Sequence, residues 1–416
     1  MTRREFRSIL TLFFVAASAL FGAALPTMPV TRAVAGEPLL NTLTGIDVLR
    51  RDGFNALSGQ RVGLITNHTG RSRDGESTVS LLYGDERVNL TALFSPEHGF
   101  KGELDVARIG DTTDSESGLQ VFSLYGKTRR PTSEMLSNVD TLVFDIQDIG
   151  TRFYTYISTM GEAMKAADEH GKRFVVLDRP NPIAGTTVSG PMLDSGTESF
   201  VGFHSLPVRH GMTTGELARM FKSELGLSLQ LDVIECEGWD RELHWDETGL
   251  VWVNPSPNMR SLTQALLYPG IGLLETSNLS VGRGTDTPFE IVGAPWIDPV
   301  RLTRRLHAMG VPGVTFVPIR FTPDSSKYKG EVCGGVNFVI VRRDRFDPLR
   351  LGLSLAVALN DVYPRQWKAA DSYRLLGNRE TLDAIRMGAQ IDQVRSIARR
   401  GIDAFLKRRN AFLIYH

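Results

Sequence analysis

From about residue 38 the chain alternates short apolar runs with stretches whose apolar residues recur at helical spacing. Arg61-Val-Gly-Leu-Ile-Thr66, Leu90-Thr-Ala-Leu-Phe94, Asp140-Thr-Leu-Val-Phe-Asp-Ile146 and Arg173-Phe-Val-Val-Leu-Asp178 are near-continuously apolar. That is the pattern of parallel strands covered on both faces. Between the last two, Met160, Ala163, Met164 and Ala167 stripe one face of a predicted helix from Ile157 to His170, which Gly171 stops. Thr213, with Glu216 three residues on, predicts a capped helix running through Leu225. A further strand is expected at Leu229–Ile234. This alternation is α/β, a Rossmann-like N-terminal domain with a mostly parallel sheet.

The pattern changes near residue 263. Leu273 to Thr285 reads LLETSNLSVGRGT, small and polar. A helix is expected at Val300–Met309, strands at Val314–Ile319 and Val336–Val341, and a helix around Leu351–Leu359. These describe a smaller α+β domain. The expected division is 1–35 as an export signal, 36–262 as the Rossmann-like domain and 263–416 as the C-terminal domain.

In open α/β sheets, ligands bind beyond the carboxyl ends of the strands. The segments SPEHG (Ser95–Gly99), NHTG (Asn67–Gly70), DIQD (Asp145–Asp148) and DRPNP (Asp178–Pro182) all fall there and are expected to gather along one edge. No G-x-G-x-x-G follows the first strand, so no dinucleotide or other cofactor is expected.

Lys+Arg and Asp+Glu both number 47, and this balance argues against a nucleic-acid binder. The N-terminus reads as an address. Arg3, Arg4 and Arg7 precede an apolar run from Ile9 to Leu25, and Ala33-Val34-Ala35 is a cleavage pattern. Thr2-Arg3-Arg4-Glu5-Phe6 also resembles a twin-arginine signal. The mature protein is therefore expected outside the cytoplasm, without a membrane anchor. Cys236 and Cys333 have no C-x-x-C or zinc spacing; two buried free thiols are the expectation, and no metal site.

The polar residues each carry a functional and a structural reading. Glu97 and His98 suit an acid/base pair, or a strand-end Glu bonded to amides beside a filler His. Asp145 and Gln147 share a strand face and Asp148 opposes them; such acids bind metals, act as bases or cap helices. Asp178-Arg179 suits an orienting ion pair. Arg152, Tyr154 and Tyr156 suit sugar stacking or ordinary packing. His210 is a catalytic imidazole or a strand-end structural one. Glu275, Asn278 and Arg283 suit a ligand site or a buried polar network.

SPEHGF-x-G, DIQDIGTRFYTY, LDRPNPI, RHGMT-x-GE, NPSPNM, ETSNLSVGRGT and PFE-x-x-GAPW, in that order, resemble the exo-β-N-acetylmuramidases of the NamZ type (glycoside hydrolase family 171, long a domain of unknown function). The resemblance covers essentially the whole mature chain. It implies removal of terminal N-acetylmuramic acid (MurNAc) from the non-reducing end of peptidoglycan fragments. It also implies a periplasmic or extracellular setting. Glycoside hydrolysis usually needs two carboxyls, about 5–5.5 Å apart for retention and about 6.5–9.5 Å for inversion. N-acetylated sugars offer a third route through the 2-acetamido oxygen. Glu97 is the expected acid/base, with His98 tuning or replacing it. Asp145 or Asp148 is the expected second carboxylate, with Asp178 behind them. MurNAc carries a lactyl carboxylate, which an arginine fork recognises. Arg152, Arg179 and Arg283 are the candidates, Arg283 and Arg152 first. The matched motifs also bring Tyr154, Tyr156, Asn181, His210, Asn258, Glu275 and Asn278 into the expected substrate-binding set, and Asn67 of the strand-end NHTG loop joins them. Two other classes fit less well. A metal-dependent hydrolase would use His68, Glu97, His98, Asp145, Asp148 and His210, though no H-E-x-x-H spacing supports it. A muropeptide-binding protein would bind without releasing sugar.

Overall fold

The computed structural model describes residues 41–106 and 108–416; the export signal read at 1–35 lies outside the described residues. In chain order the strands are β1 (Arg61–Thr66), β2 (Asn89–Ser95), β3 (Thr112–Thr113), β4 (Gln120–Ser123), β5 (Thr141–Asp145) and β6 (Arg173–Leu177). There follow β7 (Ser189–Met192), β8 (Pro207–Arg209), β9 (Leu231–Ile234), β10 (Ile291–Ala294), β11 (Val314–Phe321) and β12 (Cys333–Ile340). The main sheet runs β3-β4-β2-β1-β5-β6-β9 and is parallel except for the β3–β4 edge pair.

Alternate residues along each strand feed two faces. Val62, Leu64, Leu93, Val143 and Val175 pack on one side with Ile46 and Leu49 of α1 (Gly45–Arg51) and Leu82 of α2 (Thr78–Tyr83). Ile65, Phe94, Phe144, Phe174 and Val176 pack on the other with α3 (Tyr156–Glu169) and α4 (Thr214–Glu224). Helix α4 starts with the predicted capping box. Glu216 N–H donates to the Thr213 hydroxyl at 3.2 Å, and Thr213 N–H donates to the Glu216 carboxylate at 3.0 Å.

The second face does not stop at the predicted boundary. Its core continues without a break into α5 (Leu262–Ile271), α6 (Pro299–Ala308) and α7 (Pro348–Val362). Strands β10-β12-β11 form an antiparallel sheet, and four short helices follow: α8 (Tyr373–Leu376), α9 (Arg379–Arg386), α10 (Ile391–Ala398) and α11 (Ile402–Asn410). Cys236 and Cys333 are both buried and free.

Register brings the carboxyl ends of the central strands level. Ile65 of β1 faces Phe94 of β2, and Thr66 of β1 faces Asp145 of β5. The four motif loops do share this edge, but they open into two cavities rather than one.

Candidate active site

The first cavity, about 570 Å³, contains Glu97 and His98. Glu97 leaves β2 on a tight turn. Gly99 N–H donates to Pro96 O at 3.1 Å, and His98 and Gly99 both take left-handed backbone (φ 69° and 76°). For histidine that conformation costs about 1 kcal/mol or more. It is held in place by the residue's own ring, whose Nδ1 lies 2.7 Å from Leu104 O and donates to it. Nδ1 is thereby committed as a donor, which leaves Nε2 as the ring nitrogen without a backbone partner. Gly102 closes the same loop against His68: a Cβ there would stand 1.9 Å from the imidazole.

Glu97 accepts a hydrogen bond from the hydroxyl of Thr155, the residue that begins α3. Tyr125, just past the carboxyl end of β4, lies beside the same carboxylate; burial first, and then Glu97, push its phenol up to about 12. Among the described residues Glu97 has no Arg or Lys partner within ion-pair distance. Its carboxyl is therefore placed by hydroxyls, in a position to exchange a proton with a ligand.

The walls are aromatic. Tyr154 meets Tyr156 edge-on at 5.0 Å and Tyr268 at 5.8 Å, and Tyr268 meets Phe289 at 4.7 Å. Such faces suit the apolar side of a sugar ring. The opposite wall comes from the C-terminal half: Glu275, Arg283 and Lys327. Lys327 sits between Ser326 and Tyr328, both left-handed (φ 63° and 60°), in a turn packed on Gly284, where a Cβ would lie 2.3 Å from Ser325 O.

Arg283 does not present a free fork. Its Nη2 donates to both oxygens of Asp105 at 2.6 Å, and its Nη1 pairs with Glu275. Asn258 supports Asp105 at 3.1 Å. Asn278 lies behind this wall and staples it, donating to Gln366 O at 2.8 Å and accepting from Lys368 N–H at 2.7 Å.

Several expected site residues are elsewhere. Arg152 is fully buried and spends its guanidinium on the carbonyls of Pro191, Leu206, Leu375 and Leu376, at 2.8–3.0 Å. This tie between the two halves corrects its assignment to the lactyl carboxylate. Asp145 is fully buried and locked to Arg179 at 2.5 and 3.0 Å, with Thr78 on the second oxygen. Neither residue lines the cavity of Glu97. Asp178 is buried among donors: the hydroxyls of Thr213, Thr214 and Tyr415 and the amides of Arg179 and Gly215. It anchors the start of α4. Asn181 bonds to Met212 O and to Ile183 N–H, and Asn67 caps its own turn through Thr69. His210 is buried, accepts from Met212 N–H, and is driven down to about 3 by burial and by Arg409, Arg209 and Arg152. It is a neutral structural imidazole.

Asp148 is the one expected carboxylate left half-satisfied. Its Oδ2 accepts from Gly150 N–H at 2.7 Å, and its Oδ1 has no partner. Burial pushes it up to about 7. It does not line the cavity.

The second cavity, about 580 Å³, lies over β1, β5 and β6 and is lined by His68, Thr69, Gln147, Arg179, Trp245 and Trp252. The NHTG, DIQD and DRPNP loops therefore separate from SPEHG. The set His68, Glu97, His98, Asp145, Asp148 and His210 is dispersed, and no three His, Cys, Asp or Glu among the described residues converge on a cation position. Sequence reasoning missed Asp105, Tyr125, Thr155, Tyr268 and Lys327. Only Thr155 had a signal, as the Thr inside the quoted FYTY run.

The exo-beta-N-acetylmuramidase NamZ N-terminal family model matches residues 62–263, and its C-terminal counterpart matches residues 266–415. The chain is 44% identical over 376 residues to the peptidoglycan beta-N-acetylmuramidase NamZ of Bacillus subtilis (strain 168), covering 89% of this chain and 91% of that one. Two crystal structures of DUF1343-family proteins from Bacteroides fragilis NCTC 9343 superpose on it. One is 37% identical with a TM-score of 0.85, covering 91% of this chain and 100% of the other. The second is 29% identical with a TM-score of 0.74, covering 90% and 99%.

Proposed function

The chain belongs to the NamZ family of exo-β-N-acetylmuramidases, and on that premise we propose that it removes terminal MurNAc from the non-reducing end of peptidoglycan fragments with Glu97 as the proton donor. The observation that carries the residue assignment is the placement of Glu97. It is a carboxyl held by the Thr155 hydroxyl, in a sugar-sized aromatic cavity, with no cation paired to it among the described residues. Cleavage begins with its proton passing to the glycosidic oxygen as the bond to C1 lengthens. Tyr154, Tyr156 and Tyr268 line the cavity in which the ring sits, with Tyr156 packed edge-on against Tyr154.

The other carboxylates lining the cavity, Asp105 and Glu275, are both committed to Arg283. This supports the route in which the substrate's own 2-acetamido oxygen attacks C1 and Glu97 later activates water. Export is part of the same proposal: the substrate class lies outside the cytoplasm, and the basic, apolar, Ala-x-Ala N-terminus fits a signal.

The test is release of p-nitrophenol from p-nitrophenyl β-MurNAc by the purified mature protein, beside the β-GlcNAc analogue. Release from the MurNAc glycoside, lost by roughly 100-fold or more in Glu97→Gln, is the expected result. Saturable muropeptide binding without release would make the chain a binding protein on a hydrolase scaffold. Near wild-type turnover in Glu97→Gln would move the proton donor elsewhere.

A further inference from the structure

Four cationic side chains line the cavity of Glu97: Arg129, Arg283, Lys327 and Arg374. Two of them are engaged. Arg283 is held between Asp105 and Glu275. Lys327 donates to the main-chain oxygen of Glu275, beside the same carboxylate. Arg129 and Arg374 are exposed at the rim and, among the described residues, pair with no carboxylate.

A rim arginine is commonly just solvated. Arg129 differs because it is placed. Its guanidinium lies 4.1 Å from the ring centroid of Phe200 and 5.6 Å from that of Tyr125, and those rings are themselves 5.9 Å apart. The two rings hold the guanidinium in place while no carboxylate among the described residues takes its N–H groups, and a guanidinium fork meets a carboxylate with two bonds. Tyr125 joins this pair to the reaction centre, since its phenol lies beside Glu97 and feels both Arg129 and Arg374. Arg129 touches the ring of Tyr125, and both arginines line the cavity that holds Glu97, so an anion bound by them shares that cavity with the proposed proton donor. The lactyl ether of MurNAc, on O3, is two ring carbons from the bond being cleaved.

We propose that Arg129 and Arg374 form the subsite for the substrate's lactyl carboxylate, in the place expected of Arg283. The inference rests on the muramidase reading above and goes beyond it in naming the residues that recognise the muramic acid substituent. Because the carboxylate is present in ground and transition states alike, its loss falls on KM rather than kcat.

The experiment compares two p-nitrophenyl β-MurNAc substrates, one with the free lactyl acid and one with its methyl ester, on the mature protein. Wild type is expected to prefer the acid. Arg129→Ala and Arg374→Ala are each expected to lower the acid-to-ester ratio of kcat/KM by roughly 10-fold or more, through KM. Arg129→Lys and Arg374→Lys, which keep the charge and lose the fork, are expected to fall between. If an alanine variant does not fold, as the loss of its cooperative urea unfolding transition would reveal, the lysine variant decides. An unchanged ratio in the arginine variants, or a ratio abolished only by Arg283→Lys, overturns the subsite. Equal wild-type turnover of acid and ester overturns it too while leaving the muramidase reading intact. No turnover of either substrate removes that reading and the subsite with it.

Discussion

The hydroxyl of Thr155 donates to the carboxylate of Glu97 and accepts no hydrogen bond from the first turn of the helix that Thr155 begins. A threonine at a helix start ordinarily accepts from the backbone two or three residues on, which stabilises the helix by about 1 kcal/mol. Here that role is forgone, and the same side chain orients the proposed proton donor. Thr155→Val is expected to lower kcat by about 10-fold with little change in KM, and Thr155→Ser to recover most of the loss. Steady-state kinetics on the MurNAc glycoside checks this; equal activity in the valine and wild-type proteins would show that the hydroxyl is a bystander.

Arg152 makes a prediction of a different kind. It serves four carbonyls from both halves of the chain, so Arg152→Met strands buried acceptors. The cost should be about 3 kcal/mol or more, read as a lower denaturant midpoint in urea. The acid-to-ester preference of the folded variant should stay at the wild-type value. A changed preference with unchanged stability would return Arg152 to the substrate.

Asp148 predicts a pH dependence of stability. Its carboxyl is raised from 3.8 to about 7 in the folded chain by burial. Between those values the native state binds more protons than the unfolded one, so stability falls as pH rises through that window. In Asp148→Asn the amide oxygen can still accept from Gly150 N–H while the ionisable group is gone. The variant should gain on the wild type from pH 4 to pH 7, by a few kcal/mol at most, and the gap should be flat above that. Urea titrations at several pH values measure it. A gap that does not move with pH would place the titration elsewhere.

Asp105 ties the loop after β2 to the C-terminal wall through Arg283. The pair is partly exposed, so it contributes on the order of 1 kcal/mol or less and weakens with salt. Asp105→Asn should speed amide exchange at residues 98–106 while leaving β2 protected. Raising the salt concentration should reproduce part of that effect in the wild type. Unchanged exchange in the variant would mean that the loop is held by His98 and Leu104 alone.

How much of this was legible in the sequence depended on the range of each interaction. Strands β1, β2, β5 and β6 were readable because burial on both faces forces unbroken apolar runs. Helix α4 was readable because its capping box lies within four residues. Helix α5 was not, since LTQALLYPGI is buried nearly all round and carries no polar face to set a period. The edge strand β4 was too short to stand out. In the cavity, the placement of Glu97 followed from its strand-end position. Asp145 and Asp178 had the same signal, yet they hold Arg179 and α4 in place, because strand-end acids serve packing and chemistry with the same residue types. Asp105 and Arg129 carry no local pattern. Their roles come from partners 178 residues away in one case and 71 in the other, counting Asp105 to Arg283 and Arg129 to Phe200.

That separation has a kinetic consequence. Contacts between residues far apart in the chain form late, after the loop entropy between them has been overcome. Glu97, Thr155 and Tyr125 sit on loops and a helix start at the edge of the N-terminal sheet, but the cavity that surrounds them is completed by Tyr268, Glu275, Arg283, Lys327 and Arg374. A chain that has folded only its parallel sheet presents Glu97, the proposed proton donor, with no opposing wall to hold a sugar. The closed cavity around Glu97 is therefore expected to arrive late in folding, after the strands that carry its loops have paired.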